Sequence, residues 1–314
     1  MPGDQIPLRL AYAGTATLGA LVLEELMGRG TLSVAVVVTR PDKPRGRHGT
    51  PQPSPVKVSA QHAGIPMLQP ERLDDEAVDR LLAYEPDVFV VCAFGEIVRP
   101  ALLDRLLTIV VHPSAVPRWR GAAPVARALM AGETSLGVAT LKMTPGVDEG
   151  PVGDLRCVEV PEDADAGRAY ELIAPVAADG VHAVLEQIAT GTVIWSAQTG
   201  EPTYARKITS ADRAVDWSRP ARDIANQVRA LSPSIGARAE VAGRELIVWR
   251  ARSGAPEDAD ATGSPGTPAL SPSGDRLFVQ AGDEPVELLE LQAPGGKRMA
   301  AAAYLHGAGR WLAD

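Results

Sequence analysis

His112 closes the apolar run Thr108–His112 and passes straight into a proline, within IVVHPSAVPRWRGAAP. Open α/β sheets place their ligands beyond the carboxyl ends of such strands, and the proline stiffens the loop that follows. An imidazole there is held beside a cleft. The next apolar run, GVATLKMT, ends in the turn Pro145-Gly146-Val147-Asp148-Glu149-Gly150. A carboxylate on such a turn can reach a histidine at the end of a neighbouring strand. An Asp beside a His favours imidazolium and orients the ring, which suits oxyanion stabilisation or proton shuttling in acyl transfer. Each residue also has a plainer explanation, since a single His is commonly structural and an Asp is what a tight turn selects.

Other catalytic signatures are missing from the sequence. Ala13-Gly14-Thr15-Ala16-Thr17 fails the G-x-G-x-x-G pattern, and no P-loop, H-E-x-x-H, C-x-x-C or G-x-S-x-G occurs. Nucleotide hydrolysis, metal catalysis and serine hydrolysis therefore fall away, and no metal is expected. Cys92 in an apolar run and Cys157 in an alternating one are too few for a disulfide framework. They read as free thiols in a reducing compartment.

The elements that must position His112 and Asp148 alternate. Leu8–Ala13, Leu32–Thr39, Asp87–Ala93, Thr108–His112 and Gly137–Thr144 read as strands. Thr17–Met27, Asp74–Ala83, Pro100–Leu107, Ala122–Ala131 and Ala166–Thr190 read as helices. The continuous apolar strands are the kind buried on both faces, so the fold predicted is α/β, with a Rossmann-like, mostly parallel open sheet. After about Thr203 the pattern changes to a helix at Arg222–Leu231. Short strands follow at Ala237–Val241, Glu245–Trp249, Arg276–Gln280 and Val286–Leu291, as in a smaller OB-like β-barrel. The division expected is a catalytic domain at 1–196, a linker at 197–205 and a C-terminal domain at 206–314. Ser253–Gly274 holds four Gly, four Pro and four Ser in 22 residues and reads as a flexible excursion between strands.

Composition bounds the rest. Hydrophobic residues are 45% and charged residues 22% of 314, which is that of a folded chain. No apolar run reaches the ~18 residues of a membrane helix, and residues 1–9 carry no export signal, so a cytoplasmic protein without a membrane partner is expected. The net charge of −8 argues against indiscriminate nucleic-acid coating. Two local islands oppose it. Residues 206–252 carry ten Lys/Arg against five acids, and residues 40–57 carry five against Asp42 alone. Either island alone is what a solvated face holds; two in one acidic chain leave a polyanion partner and plain solvated faces equally open on charge alone.

HPSAVPRWRGAAP with PGVDEG is similar to the signature of formyltransferases that use 10-formyltetrahydrofolate. AGTATLGALVLEEL, TRPDKPRGRHGTPQPSPVK, VVCAFGEIVRP, TYARKITSADRAVDWSRPA and LLELQAPGGKRMAAAAYL narrow the resemblance to the methionyl-tRNA formyltransferase family, over essentially the whole chain. The resemblance implies catalytic residues at His112 and Asp148. It implies folate contacts at Ser114, Ala115, Val116 and Pro117, with walls at Phe94, Gly95, Glu96 and Ile97. It implies a tRNA-inserting loop at residues 40–57, with Arg40, Lys43, Arg45 and Arg47 at phosphates, and further tRNA contact from Arg206 and Lys207 in the C-terminal domain. The partners implied are 10-formyltetrahydrofolate as co-substrate and initiator methionyl-tRNA, met by a monomer working in translation initiation.

One position departs from the pattern. The family carries Asn two residues before its catalytic His, and this chain carries Val110. Valine has no hydrogen to donate to a formyl oxygen, and losing one such donor costs on the order of 10²–10³ in rate. Two alternatives stay open: a catalytically impaired folate- or tRNA-binding paralogue, and a formyltransferase acting on a small amine. The basic loop and basic C-terminal domain speak against a small acceptor, which needs neither.

Overall fold

The structure is a computed structural model that describes residues 8–44, 49–254, 263–307, 309 and 312. Cα proximity divides the chain into two compact units. The first is Met1–Pro124, Ser135–Glu159 and Tyr170–Ala205; the second is Val125–Thr134, Val160–Ala169 and Arg206–Asp314.

The first unit is built on seven strands: β1 (Arg9–Gly14), β2 (Ser33–Val38), β5 (Met67–Leu68), β6 (Val88–Cys92), β7 (Leu107–His112), β8 (Ser135–Lys142) and β9 (Val152–Glu159). Their order is β5-β2-β1-β6-β7-β8-β9. The first five are mutually parallel, and β8 and β9 add antiparallel at one edge. Val88, Phe89, Val90, Val91 and Cys92 are all buried, as a strand covered on both faces requires. Helices α1 (Thr17–Gly28), α2 (Pro55–His62), α3 (Asp75–Leu82) and α4 (Pro100–Leu103) interleave. Leu73, Val78, Leu81, Phe94, Val98 and Leu102 cover Phe89 and Val91 on one face. α1 lies so close to β6 that a Cβ at its Gly19 would stand 2.6 Å from the Cys92 carbonyl oxygen.

Two helices differ from the sequence reading. α2 falls where a basic loop was expected to end, because Ser54 caps it by accepting from the Lys57 N–H at 3.0 Å and Pro55 opens its first turn. α4 stops after four residues, short of the expected Pro100–Leu107. Burial beside Tyr12 pushes the Cys92 thiol up to about 12, so it stays protonated and unreactive.

A short hairpin, β3 (Lys43–Pro44) with β4 (Pro51–Gln52), rises from the first unit. Helix α5 (Pro124–Met130) belongs to the second unit but for its first residue, and most of the 24-residue α6 (Ala166–Ala189) belongs to the first. α6 is the one described helix long and apolar enough to cross a membrane by length and composition. Charged positions interrupt it, and a Cβ at its Gly180 would stand 2.7 Å from Asp154 of β9, so it is seated on the sheet.

The second unit is strand-rich and antiparallel. β10 (Ala237–Val241), β11 (Arg244–Ser253), β12 (Pro268–Leu270), β13 (Leu277–Gln280) and β14 (Pro285–Gln292) run in the order β10-β11-β14-β13-β12, with β15 (Met299–Ala300) on β14. β12 lies inside the stretch expected to be a flexible excursion; Pro268 and Leu270 pair with Val279 and Leu277. Helix α7 (Ala221–Leu231) sets Ile224, Val228 and Leu231 at helical spacing against Leu246, Val248, Val286 and Leu288, and α8 (Ala301–His306) adds Tyr304 and Leu305. Arg229 of α7 is 8% exposed and donates to Asn226 and to the carbonyls of Leu129, Glu133 and Ala164.

Candidate active site

Thr108, Val110 and His112 share one face of β7, because side chains alternate along a strand. His112 is 4% exposed. Its Nε2 lies 2.9 Å from the Trp119 carbonyl oxygen. A carbonyl only accepts, so Nε2 carries a hydrogen and Nδ1 is the ring nitrogen left to face Asp148. Nδ1 faces Asp148 Oδ2 across 3.4 Å, longer than an ordinary hydrogen bond. Asp148 Oδ2 accepts from the Gly121 N–H at 2.8 Å. Trp119 thus holds one ring nitrogen and Asp148, the residue the sequence pointed to, faces the other. Nδ1 and Oδ2 face each other across a gap that a single proton can bridge.

The route by which Asp148 arrives also differs from the expectation of two similar strand ends. β8 is antiparallel to β7, and Lys142 pairs with Ile109. The turn after β8 therefore begins three residues below His112 and must return roughly 10 Å along the sheet face to deliver its carboxylate. Asp148 sits there at φ +53°, and Trp119 and Ala93 adopt φ +58° and +49°. Left-handed conformations cost non-glycine residues on the order of 1–3 kcal/mol each, and these three lie in loops flanking one site.

Val110 is half-buried against Val116, Ala139 and Leu141. The loop after His112 lies flat on β8: a Cβ on Gly137 would stand 2.1 Å from the Ala115 nitrogen, so only glycine allows the contact. Ser114 is 3% exposed and gives its hydroxyl to the Arg118 carbonyl at 2.6 Å. The Val116–Pro117 bond is cis. On the loop after β6, Phe94 turns into the core while Ile97 is 87% exposed. Gly95 takes φ +77°. Burial raises the Glu96 carboxyl, opposed by nearby Lys43. Ile97 and Val147, the latter 67% exposed, leave apolar surface on the two loops flanking His112.

Arg40 and Lys43 are exposed at the base of the β3–β4 hairpin; Arg45 and Arg47 lie outside the described residues. Lys57, counted in the same basic island, is committed to Asp42 at 2.8 and 2.9 Å. Gln69 joins Asp42 to the Arg40 carbonyl at 3.0 Å each. Bonds from Lys57 and then Gln69 hold the Asp42 carboxyl below its ordinary value. In the second unit Arg206 and Lys207 are exposed. Half of that basic island serves the fold instead: Arg229 and Arg213 donate to carbonyls, and Arg219, Arg222 and Arg252 pair with Asp223, Glu162 and Glu287. Sequence reasoning missed Trp119, Gly121 and Gln198, which act through backbone groups or on them. Among the described residues no group of three or more His, Cys, Asp or Glu is gathered to hold a metal.

Comparison with known proteins matches residues 8–185 to the formyl transferase domain and residues 207–309 to the formyl transferase C-terminal domain. The methionyl-tRNA formyltransferase of Rubrobacter xylanophilus is 42% identical over 304 residues, covering 96% of this chain and 97% of that protein. The one from Aromatoleum aromaticum is 37% identical over 305 residues, covering 96% and 94%. HypX from Aquifex aeolicus, solved in complex with tetrahydrofolic acid, shares the fold with a TM-score of 0.67 at 20% identity. That match covers 95% of this chain and 47% of HypX, so this chain spans about half of HypX's length. With both domains matched in order over most of the sequence, and two methionyl-tRNA formyltransferases aligned over more than nine-tenths of each chain, the chain belongs to the methionyl-tRNA formyltransferase family.

Proposed function

We propose that this protein moves a formyl group from 10-formyltetrahydrofolate to the amino group of methionyl-tRNA, in the cytoplasm. The observation that carries the reading is the facing pair His112 Nδ1 and Asp148 Oδ2, each residue held by a backbone group of the loop 119–121. A nucleophilic amine must lose a proton as it attacks, and this gap receives one. His112 works from Nδ1, because Trp119 occupies Nε2. Once protonated there, it offers a hydrogen to the formyl oxygen as that oxygen gains charge. Asp148 favours the protonated ring, and as the bond between the formyl carbon and the folate N10 breaks, the proton taken from the amine passes to that departing nitrogen, releasing tetrahydrofolate. Holding both substrates against this pair supplies much of the acceleration.

The folate donor fits the surface left around His112. Exposed Ile97 and Val147 offer a flat ring an apolar rest, and the backbone of Ser114–Pro117 borders it. When bound, the donor supplies an activated formyl carbon; the protein orients it and excludes water. The exposed Arg40 and Lys43 of the hairpin, with Arg206 and Lys207, are the cations offered to the tRNA backbone.

Val110 supports a second reading, that of an impaired enzyme retaining its ligands. An isopropyl group packed on Val116 and Leu141 offers the formyl oxygen nothing. Turnover with initiator methionyl-tRNA, compared with free methionine and uncharged tRNA, decides. Formylation of methionyl-tRNA alone supports the first reading. Tight folate and tRNA binding without turnover supports the second. Formylation of free amines would sink both.

A further inference from the structure

The turn carrying Asp148 makes a long return from the far end of β8, and its φ of +53° is one that L-residues rarely hold unaided. Something outside the turn must pin it. The Gln198 carboxamide reaches it from 50 residues away: Nε2 donates one hydrogen to the Asp148 carbonyl and the other to the Gly150 carbonyl, both at 2.8 Å. Oε1 accepts from Arg120 Nη2 at 2.7 Å and Nε at 3.1 Å. Carbonyls only accept and a guanidinium only donates, so the chemistry of the partners fixes which end of the amide faces which. All four of its hydrogen-bonding positions are used.

Gln198 is itself anchored to both sides it joins. Two residues before it, Ser196 exchanges backbone bonds with Val152 at 2.7 and 2.9 Å; beyond it, Thr203 N–H donates to the Pro117 carbonyl and the Thr203 carbonyl accepts from Arg120. The loop at residues 119–121 holds the His112 ring through the Trp119 carbonyl and the Asp148 carboxylate through the Gly121 N–H. Gln198 ties that loop to that turn.

We infer that Gln198 is the positioning residue that sets the separation of His112 Nδ1 from Asp148 Oδ2. The inference rests on the reading of that pair as the catalytic one. Gln198→Met keeps the length and removes every bond; Gln198→Glu keeps the arm to Arg120 but cannot donate to the carbonyls. In the full-length enzyme both are expected to lower kcat about 10- to 100-fold, the scale of a small misplacement, with KM for either substrate changed less than about twofold.

A cycle with Asp148→Asn separates the possibilities, with thermal melts confirming that each variant folds. If Gln198 acts through Asp148, the double variant Asp148→Asn/Gln198→Met is no slower than Asp148→Asn alone. Losses that multiply would overturn the inference while leaving the catalytic pair intact, as would full kcat in Gln198→Met. Full kcat in Asp148→Asn would overturn the pair, and the inference with it. Should Gln198→Met fail to fold, the Glu variant carries the same cycle.

Discussion

Replacing Val110 with Asn tests the site where it departs from its family. Val110 and His112 lie two residues apart on one face of β7, so their Cβ atoms are separated by about 6.6 Å and a point midway is about 3.3 Å from each. An oxygen addressed by His112 is thus in reach of a short amide at position 110. A single well-placed donor is worth on the order of 10²–10³ in kcat. The structure argues for the lower end or less, because Val116, Ala139 and Leu141 pack around an isopropyl group and must yield to an amide. We expect Val110→Asn to raise kcat at least about tenfold, or about 1.4 kcal/mol of transition-state stabilisation. The KM values should change little, since the new bond strengthens as charge develops. The second amide hydrogen finds no polar neighbour in that cluster, which costs about 1–3 kcal/mol of stability, read as a lower denaturation midpoint. Steady-state formylation of methionyl-tRNA by both proteins is the assay. A wild-type kcat equal to or above that of the variant would mean that another group already supplies the donor.

Three further outcomes follow from the same geometry. A non-hydrolysable folate analogue at a hundredfold excess over its Kd should stabilise the full chain by about 2.7 kcal/mol, seen as a raised Tm; no shift at saturation would remove the donor site from these loops. Replacing Arg45 and Arg47 with Ala should weaken tRNA binding and flatten its salt dependence by up to about one unit per lost phosphate contact, with folate binding untouched. Unchanged affinity and slope would return the hairpin to the status of a solvated loop. Arg127 grips Asp212 at 2.6 and 2.9 Å, and those bonds, with Thr209, hold the Asp212 carboxyl well below the usual carboxylate range. A lowered folded pKa contributes stability above the unfolded value near pH 4, and that contribution fades as pH falls below it. Asp212→Asn should therefore cost about 1–2 kcal/mol at pH 7, with the gap to wild type narrowing below about pH 4 in urea titrations. A gap that widens on acidification would contradict the assignment.

What the sequence disclosed was governed by short-range rules. The continuous apolar run Val88–Cys92 reads as a strand covered on both faces, and His112 at the end of its own apolar run could be placed at the carboxyl end of a strand without coordinates. The direction of β8 could not be read. A strand with buried residues throughout, as in Leu136–Leu141, looks the same parallel or antiparallel, and that direction decides from which side Asp148 arrives. The Trp119 carbonyl and the Gly121 N–H carry no side-chain signature at all. Gln198 has one, but its partners lie about 50 and 78 residues back in the chain. β12 was hidden because Pro268–Leu270 offers three residues among many glycines and prolines, too few for alternation to show.

The division of the chain into units has a consequence for synthesis. The backbone passes between them five times, at residues 124, 134, 159, 169 and 205. A ribosome that has released Ala205 has delivered every residue of the first unit. The second unit at that moment owns two orphan pieces, Val125–Thr134 and Val160–Ala169, whose carbonyls wait for the guanidinium of Arg229. A nascent chain stalled just past residue 205 should therefore hold a formed sheet with two loose inserts that remain open to protease. Emergence of α7 should close both together.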